Sequence, residues 1–336
     1  MRTRKILLGH GSGGRMTQEL VNSVFKKTWA NPYLDQMLDG AILEVGSQRI
    51  AMTTDSFVIT PLFFPGGDIG KLSVYGTVND LVACGARPLY VSAGLIIEEG
   101  FGVEELEKIA ASMSKAALEA GVQLVTGDTK VVEKGKADGI FINTTGIGII
   151  RTEVDYRPDR IKPGDAVIVT GKVGEHGLAV LAQREGLSFS TPVTSDCQPL
   201  HRVGELLARY GQEVRCMRDP TRGGVATVLN ELAQQSGTGF IVREEDIPLD
   251  PVVQGACEML GLDALYLANE GKMVVVVAKD AAQAIVEDLR QLPESRDSAV
   301  IGYVKDEVPG LVLLETELGA HRILNMLESD QLPRIC

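Results

Sequence analysis

The sequence predicts a two-domain protein of the α/β or α+β class, and three observations carry that prediction. Apolar segments with strand and helix periods alternate along the chain. A charged, proline-bearing stretch without period, residues 155–165, divides it. At 336 residues and 44% hydrophobic content, the chain can fill two cores of about 150 residues each.

The elements follow in order. A polar, glycine-rich arm at residues 9–14 leads into a helical stretch at 17–28, where Val21, Val24 and Phe25 recur at helical spacing. Asp39-Gly40 marks a turn. Strands are expected at 41–45 and 49–54, joined by Gly46-Ser47, the second ending at Asp55. After a loop at 61–70, residues 72–84 place Val74, Val78, Leu81 and Val82 as a buried helix that Gly85 and Pro88 stop. A strand at 90–97, an amphipathic helix at 103–120 and strands at 122–126 and 139–150 complete the first unit. Beyond the linker come a strand at 166–171, helices at 178–183, 199–210 and 224–235, and strands at 273–278 and 300–304 flanking a helix at 281–292. The expected division is an arm and helix at 1–40, a first domain at 41–154, the linker, a second domain at 166–320, and a flexible tail at 321–336, where the apolar period fades and Pro333 intervenes.

Composition excludes several classes. Asp and Glu number 45 against 33 Lys and Arg, a net charge of −12 that repels phosphate backbones, so no nucleic-acid partner is expected. The longest apolar run, 273–278, falls far short of the ~18 residues of a membrane helix, and the first eleven residues lack a signal-peptide core. The expected location is cytoplasmic. Five scattered cysteines, odd in number and without a Cys-x-x-Cys pair, argue against a disulfide framework or a zinc site. Aromatics at 5% and 37 glycines suit tight turns that bring backbone close to a small molecule.

Four aspartates stand at strand ends or in glycine-bearing turns: Asp55, Asp80, Asp128 and Asp219. Carboxylates from different strand ends suit a magnesium–nucleotide site, because magnesium takes few carboxylates and completes its shell with phosphate oxygens and water. Each alone is equally a turn former or a helix cap. Gly223-Gly224 opens a helix whose free N–H groups suit a phosphate, with Arg222 alongside. The turn 171–177 has the same capacity and carries His176, a general-base candidate against the usual structural role of a lone histidine. Glu270 precedes the most apolar strand, as a partly buried base or a solvated turn residue. Cys336 ends the chain, as an accidental terminus or as a thiol carrier able to visit two active sites.

With these residues assembled, the chain resembles the HypE family of hydrogenase maturation factors. The marks are Gly9-His10-Gly11-Ser12-Gly13-Gly14-Arg15, Thr54-Asp55-Ser56, Val78-Asn79-Asp80-Leu81, Gly127-Asp128-Thr129-Lys130-Val131-Val132, Gly174-Glu175-His176-Gly177, Asp219-Pro220-Thr221-Arg222-Gly223-Gly224, Asn269-Glu270-Gly271-Lys272 and Pro333-Arg334-Ile335-Cys336. The aspartate motifs are shared with aminoimidazole ribonucleotide synthetase and selenophosphate synthetase, and the terminal cysteine narrows the choice.

The resemblance implies a PurM-like two-domain fold whose N-terminal sheet pairs with its twin in a homodimer. It implies an ATP-dependent carbamoyl dehydratase that makes the cyanide ligand of nickel-iron hydrogenases. The carbamoyltransferase HypF would load Cys336, ATP would phosphorylate the carbamoyl oxygen, and loss of phosphate would leave a thiocyanate for transfer to the HypC and HypD complex. Asp55, Asn79, Asp80, Gly127, Asp128, Thr129, Arg222, Gly223 and Gly224 would bind the nucleotide, and Asp55, Asp80, Asp128 and Asp219 would hold Mg2+. Glu270 would be the base, with Lys130 or His176 as rivals. Another ATP-dependent small-molecule synthetase of the superfamily, or a non-enzymatic thiol carrier, stands as the alternative.

Overall fold

A computed structural model describes residues 5–189 and 191–328. The chain opens with helix α1 (Arg15–Leu20), which continues through a π-helical turn into α2 (Lys27–Trp29). Strands β1 (Ala41–Val45) and β2 (Gln48–Phe57) form the expected hairpin, with Gly46 at φ +62° taking its first corner. A small hairpin, β3 (Phe63–Phe64) with β4 (Gly67–Asp68), leads into α3 (Ile69–Ala83). Then come β5 (Ala86–Glu98), α4 (Val103–Glu119), β6 (Gln123–Val132) and β7 (Ile140–Ile150). The first sheet has the order β1-β2-β7-β5-β6; only β5 and β6 run parallel.

The second half runs β8 (Ala166–Val169), α5 (Glu175–Glu185), α6 (His201–Leu207), β9 (Val214–Arg218), α7 (Gly224–Ser236), β10 (Gly239–Arg243) and α8 (Pro251–Leu260). It ends with β11 (Val274–Val277), α9 (Ala282–Leu289), β12 (Ala299–Lys305), β13 (Val312–Glu315) and β14 (His321–Ile323). The second sheet has the order β14-β13-β10-β12-β8-β11-β9.

Helix α3 joins the two halves. The Asp68 carboxylate caps it by accepting from the N–H groups of Gly70 and Lys71, and nearly every residue along it is buried. One face packs on the first sheet. Its C-terminal end packs on α6, where Gly204 is glycine because a Cβ would stand 2.7 Å from Val82. The core around Leu81, Val82, Leu200, Val203, Met217 and Val275 therefore runs continuously through both halves.

The linker at 155–165 is packed: Tyr156 and Ile161 are buried, and buried Asp165 pairs with Arg215 at 3.4 Å. Two expectations need correction. The tail does not begin at His321, because β14 pairs with β13 and Leu324 is fully buried. Asp128 lies inside β6 and not in a turn after a strand ending at 126, and β2 runs two residues past Asp55, where it was expected to end. Residues 329–336 of the expected tail, with Cys336, lie outside the described residues.

Candidate active site

A cavity of about 320 Å³ opens where α3, β2 and the start of α7 meet, and its walls carry most of the chain's acidic candidates. Asp55 comes from β2, Asp80 from α3, Asp219 from the end of β9, and Glu270 from the loop before β11. Asp39, just ahead of β1, joins them. Burial, then the charges of Asp219, Asp55 and Asp39, pushes the Asp80 carboxyl well above the usual range, although a 2.8 Å hydrogen bond from Thr53 Oγ1 opposes the shift. Asp219 is pushed up to about 8, by burial and then by Asp39. Asp39 and Asp55 are raised too, chiefly by burial. Such mutually repelling carboxylates favour a cation among them.

The cationic side of the wall is Arg218 and Arg222. Arg218 is buried between Asp39 at 3.4 Å and Glu231, and although burial alone disfavours its charge, these two carboxylates hold it. Arg222 is exposed, and its Nη1 donates to Gly11 O at 3.0 Å. Gly223 and Gly224, at φ +75° and +62°, turn the chain into α7, so that the helix's N-terminal end and Thr227 front the cavity. Thr227 Oγ1 is buried without a hydrogen-bond partner among the described residues, as an atom waiting for a ligand would be.

Glu270 is held from both halves of the molecule. Asp196 accepts from the Glu270 N–H at 3.1 Å and from the Gly271 N–H at 3.2 Å, and Lys272 neutralises Asp196 from 3.5 Å. From α3, Asn79 Nδ2 donates to Glu270 O at 3.3 Å, while Asn79 Oδ1 accepts from Leu200 N–H at 2.8 Å. Burial, followed by Asp219, Asp196 and Asp55, raises the Glu270 carboxyl well above its ordinary value, against the pull of Arg222. A carboxylate so raised holds a proton more tightly than an ordinary one, which is what a general base requires. Asn79 thus supports the site through the backbone and does not line the cavity.

Two groups of expected residues stand elsewhere. Gly127, Asp128, Thr129 and Lys130 lie on β6, an edge strand exposed along nearly its whole length. Asp55 is in register with Thr144, Ala93 and Gly127 across the sheet, so Asp128 belongs to the next row and points to the opposite face. Three strand spacings, roughly 14 Å, also separate β6 from β2. Asp128 pairs instead with Lys130 at 3.6 Å. His176 is fully buried beside Ser195 Oγ at 2.8 Å and edge-on to Phe64, and burial lowers it to about 4, which leaves it a neutral packing residue away from the cavity wall. Asp39, Arg218, Glu231 and Thr227 were not expected. Asp39 was legible only as a turn former, and Arg218 only as the neighbour of Asp219.

Among the described residues, no three His, Cys, Asp or Glu side chains converge closely enough to bind a metal unaided. Magnesium held partly by phosphate oxygens and water remains compatible with that spacing. The four described cysteines are all buried, and burial pushes Cys216 up to about 12 and Cys257 to about 11, so none is a ready nucleophile.

Two sheets sharing one core, with a carboxylate cavity between them, define the PurM-like class. Family models agree: "AIR synthase related protein, N-terminal domain" matches residues 37–150 and "AIR synthase related protein, C-terminal domain" matches 162–312. Carbamoyl dehydratase HypE of Rhizobium leguminosarum bv. viciae is 50% identical over 99% of this chain and 95% of its own length, and HypE of Escherichia coli K12 is 43% identical over 98% and 99%. The chain belongs to the HypE family of hydrogenase maturation proteins. Among solved structures, HypE in a HypE–HypF complex superposes with a TM-score of 0.88 at 48% identity, covering 92% of this chain and 99% of that one. HypE in complex with ATP gives 0.83 at 48% identity over 99% and 100%. Thiamine monophosphate kinase from Aquifex aeolicus, at 20% identity and 0.65, shares the fold.

Proposed function

We propose that the chain uses ATP to dehydrate a carbamoyl group carried on its own Cys336, leaving a thiocyanate. The observation that carries this reading is a buried, raised-pKa carboxylate, Glu270, in the same cavity as a helix N-terminus and four clustered aspartates. An amide oxygen is a poor leaving group, and phosphorylation makes it a good one. The carbamoyl oxygen attacks the γ-phosphorus, ADP leaves, and one N–H proton passes to water. Glu270 then takes the second N–H proton as the C–O bond breaks, so that phosphate departs and the nitrile forms on sulfur. ATP, thioester-like carbamate and products balance as ADP, phosphate and thiocyanate, with the carbamoyl oxygen carried off in phosphate.

In this reading Asp55, Asp80 and Asp219, with Asp39 added, hold the Mg2+ that neutralises phosphate charge. Arg222, Thr227 and the α7 N-terminus receive the phosphates, and Gly223 and Gly224 shape that turn. The HypE relatives solved with ATP and with HypF support the same partners here. HypC and HypD as acceptors, and a cytoplasmic setting, belong to the same proposal. Asp128 and Lys130 would enter the site only from a second copy of the chain.

The test is intact-mass spectrometry with HypF and carbamoyl phosphate. A carbamoyl adduct on Cys336 that becomes lighter by one water on adding Mg-ATP is the expected result. An adduct that never loses water would make the chain a carrier, and no adduct would favour another small-molecule synthetase. An adduct on Cys84, Cys197, Cys216 or Cys257 would sink the assignment.

A further inference from the structure

The N-terminal arm lies between two things the proposed reaction must bring together, the cavity and the root of the tail. Gly13, at φ +82°, lines the cavity, and a Cβ there would stand 2.8 Å from Arg222 Cβ. The next residue, Gly14, is extended with φ −87°, the side of the map that L side chains adopt, so its φ does not call for glycine. The reason is its neighbour: a Cβ on Gly14 would meet Leu327 O at 2.1 Å. Arg15 N–H donates to that same carbonyl at 2.8 Å, and the Arg15 guanidinium pairs with Glu328 at 3.2 Å.

Both sides of this contact are anchored. Arg222 Nη1 binds Gly11 O, and Gln18 on α1 donates to Glu231, which itself pairs with Arg218 in the cavity wall. On the other side, Leu324 O accepts from Asn230 of α7 at 2.9 Å and Asn325 O accepts from Tyr266 at 2.7 Å. Glu328 is eight residues from Cys336, a span of at most ~29 Å, and it starts beside the cavity wall.

We propose that Gly14 and Arg15 are positioning residues that clasp Leu327–Glu328 and so fix where the C-terminal segment starts on its way to the cavity. The proposal rests on Cys336 as the acceptor. A fixed start point limits the orientations from which the loaded sulfur can approach Glu270, and a misplacement of about 1 Å slows a positioned reaction by orders of magnitude.

The experiment compares full-length Gly14→Ala with the unsubstituted protein. HypF-dependent loading of Cys336 and Mg-ATP affinity by calorimetry are expected to match, while single-turnover conversion to thiocyanate slows on the order of tenfold or more. A charge-reversed Arg15→Glu is expected to slow conversion about two- to fivefold, and adding Glu328→Arg to restore it. Hydrogen exchange reads the clasp without activity: the Arg15 amide is protected in the unsubstituted protein and exchanges at least about tenfold faster in Gly14→Ala. Unchanged conversion in Gly14→Ala, a parallel loss of ATP affinity, or an unprotected Arg15 amide would each overturn the clasp. Failure of the unsubstituted protein to load or dehydrate Cys336 would instead overturn the reading of the reaction, and the exchange measurement would still decide the clasp.

Discussion

Asp80 sits in a conflict that a cation would resolve. Its carboxyl is crowded by Asp219, Asp55 and Asp39 and, among the described residues, gains only the Thr53 hydroxyl as a hydrogen-bond partner. Raised carboxylates mean that the folded chain binds more protons than the unfolded one between the ordinary value near 4 and their folded values, about 8 for Asp219. Stability of the nucleotide-free protein is therefore present at low pH within that window and is lost as pH rises through it. The melting temperature is expected to be higher at pH 6 than at pH 8, and Mg-ATP to restore more at pH 8. Asp80→Asn removes one of the repelling charges. Its nucleotide-free melting temperature at pH 8 should rise by ~1–2 °C for each kcal/mol relieved, while Mg-ATP affinity falls at least about tenfold. Thermal scans at both pH values with calorimetry check this. A lower melting temperature together with intact binding would make Asp80 a structural residue.

Helix α7 shows a sequence signal and its cost at the scale of an element. Gly223 and Gly237 flank it, both with positive φ, but a Cβ on Gly223 would stand 2.2 Å from Thr227 Oγ1 whereas Gly237 has open space around it. Both alanine variants pay the backbone penalty of ~1–2 kcal/mol. Only Gly223→Ala also displaces Thr227 from the cavity, so only it should lose Mg-ATP affinity, by about tenfold; equal affinities in calorimetry would separate the turn from phosphate binding. Gly-Gly before an apolar helix was readable from the chain, as were β1, α4 and the all-valine β11. What escaped was short or mixed in character: in β9 Cys216-Met217 breaks the alternation begun by Val214 and Arg215, and β14 is His-Arg-Ile, so neither has a period to detect. Helix α8 did carry a signal, an Asp250 cap followed by Pro251 at the first position. The site was legible as separate aspartates. Which of them meet depends on strand order, and that left Asp128 on a far edge and drew in Asp39, whose partner Arg218 is distant in sequence.

For the whole molecule, one face of the first sheet is left uncovered by the described residues. Helices α3 and α4 pack on one face; on the other, Met52, Tyr90, Ile96 and Ile147 are 41%, 46%, 42% and 37% exposed, and beside them β6 leaves Val125 and Val131 open at the edge. An apolar sheet face next to an unpaired parallel edge is an association surface. A second copy is the occupant we propose, since two like faces close with two-fold symmetry. This arrangement also gives Asp128 and Lys130, stranded on that face within one chain, a cavity to serve in the partner. Sedimentation at micromolar concentration should give twice the 36.1 kDa chain mass. Ile147→Asp, which plants a charge in the middle of the face, should yield a folded monomer. That monomer keeps Asp55, Asp80 and Asp219 together and so retains measurable Mg-ATP binding, but it should lose turnover, as should a dimeric Lys130→Ala. A monomeric unsubstituted protein would refute the dimer, and an Ile147→Asp monomer with full turnover would show that Asp128 and Lys130 have no part in the site.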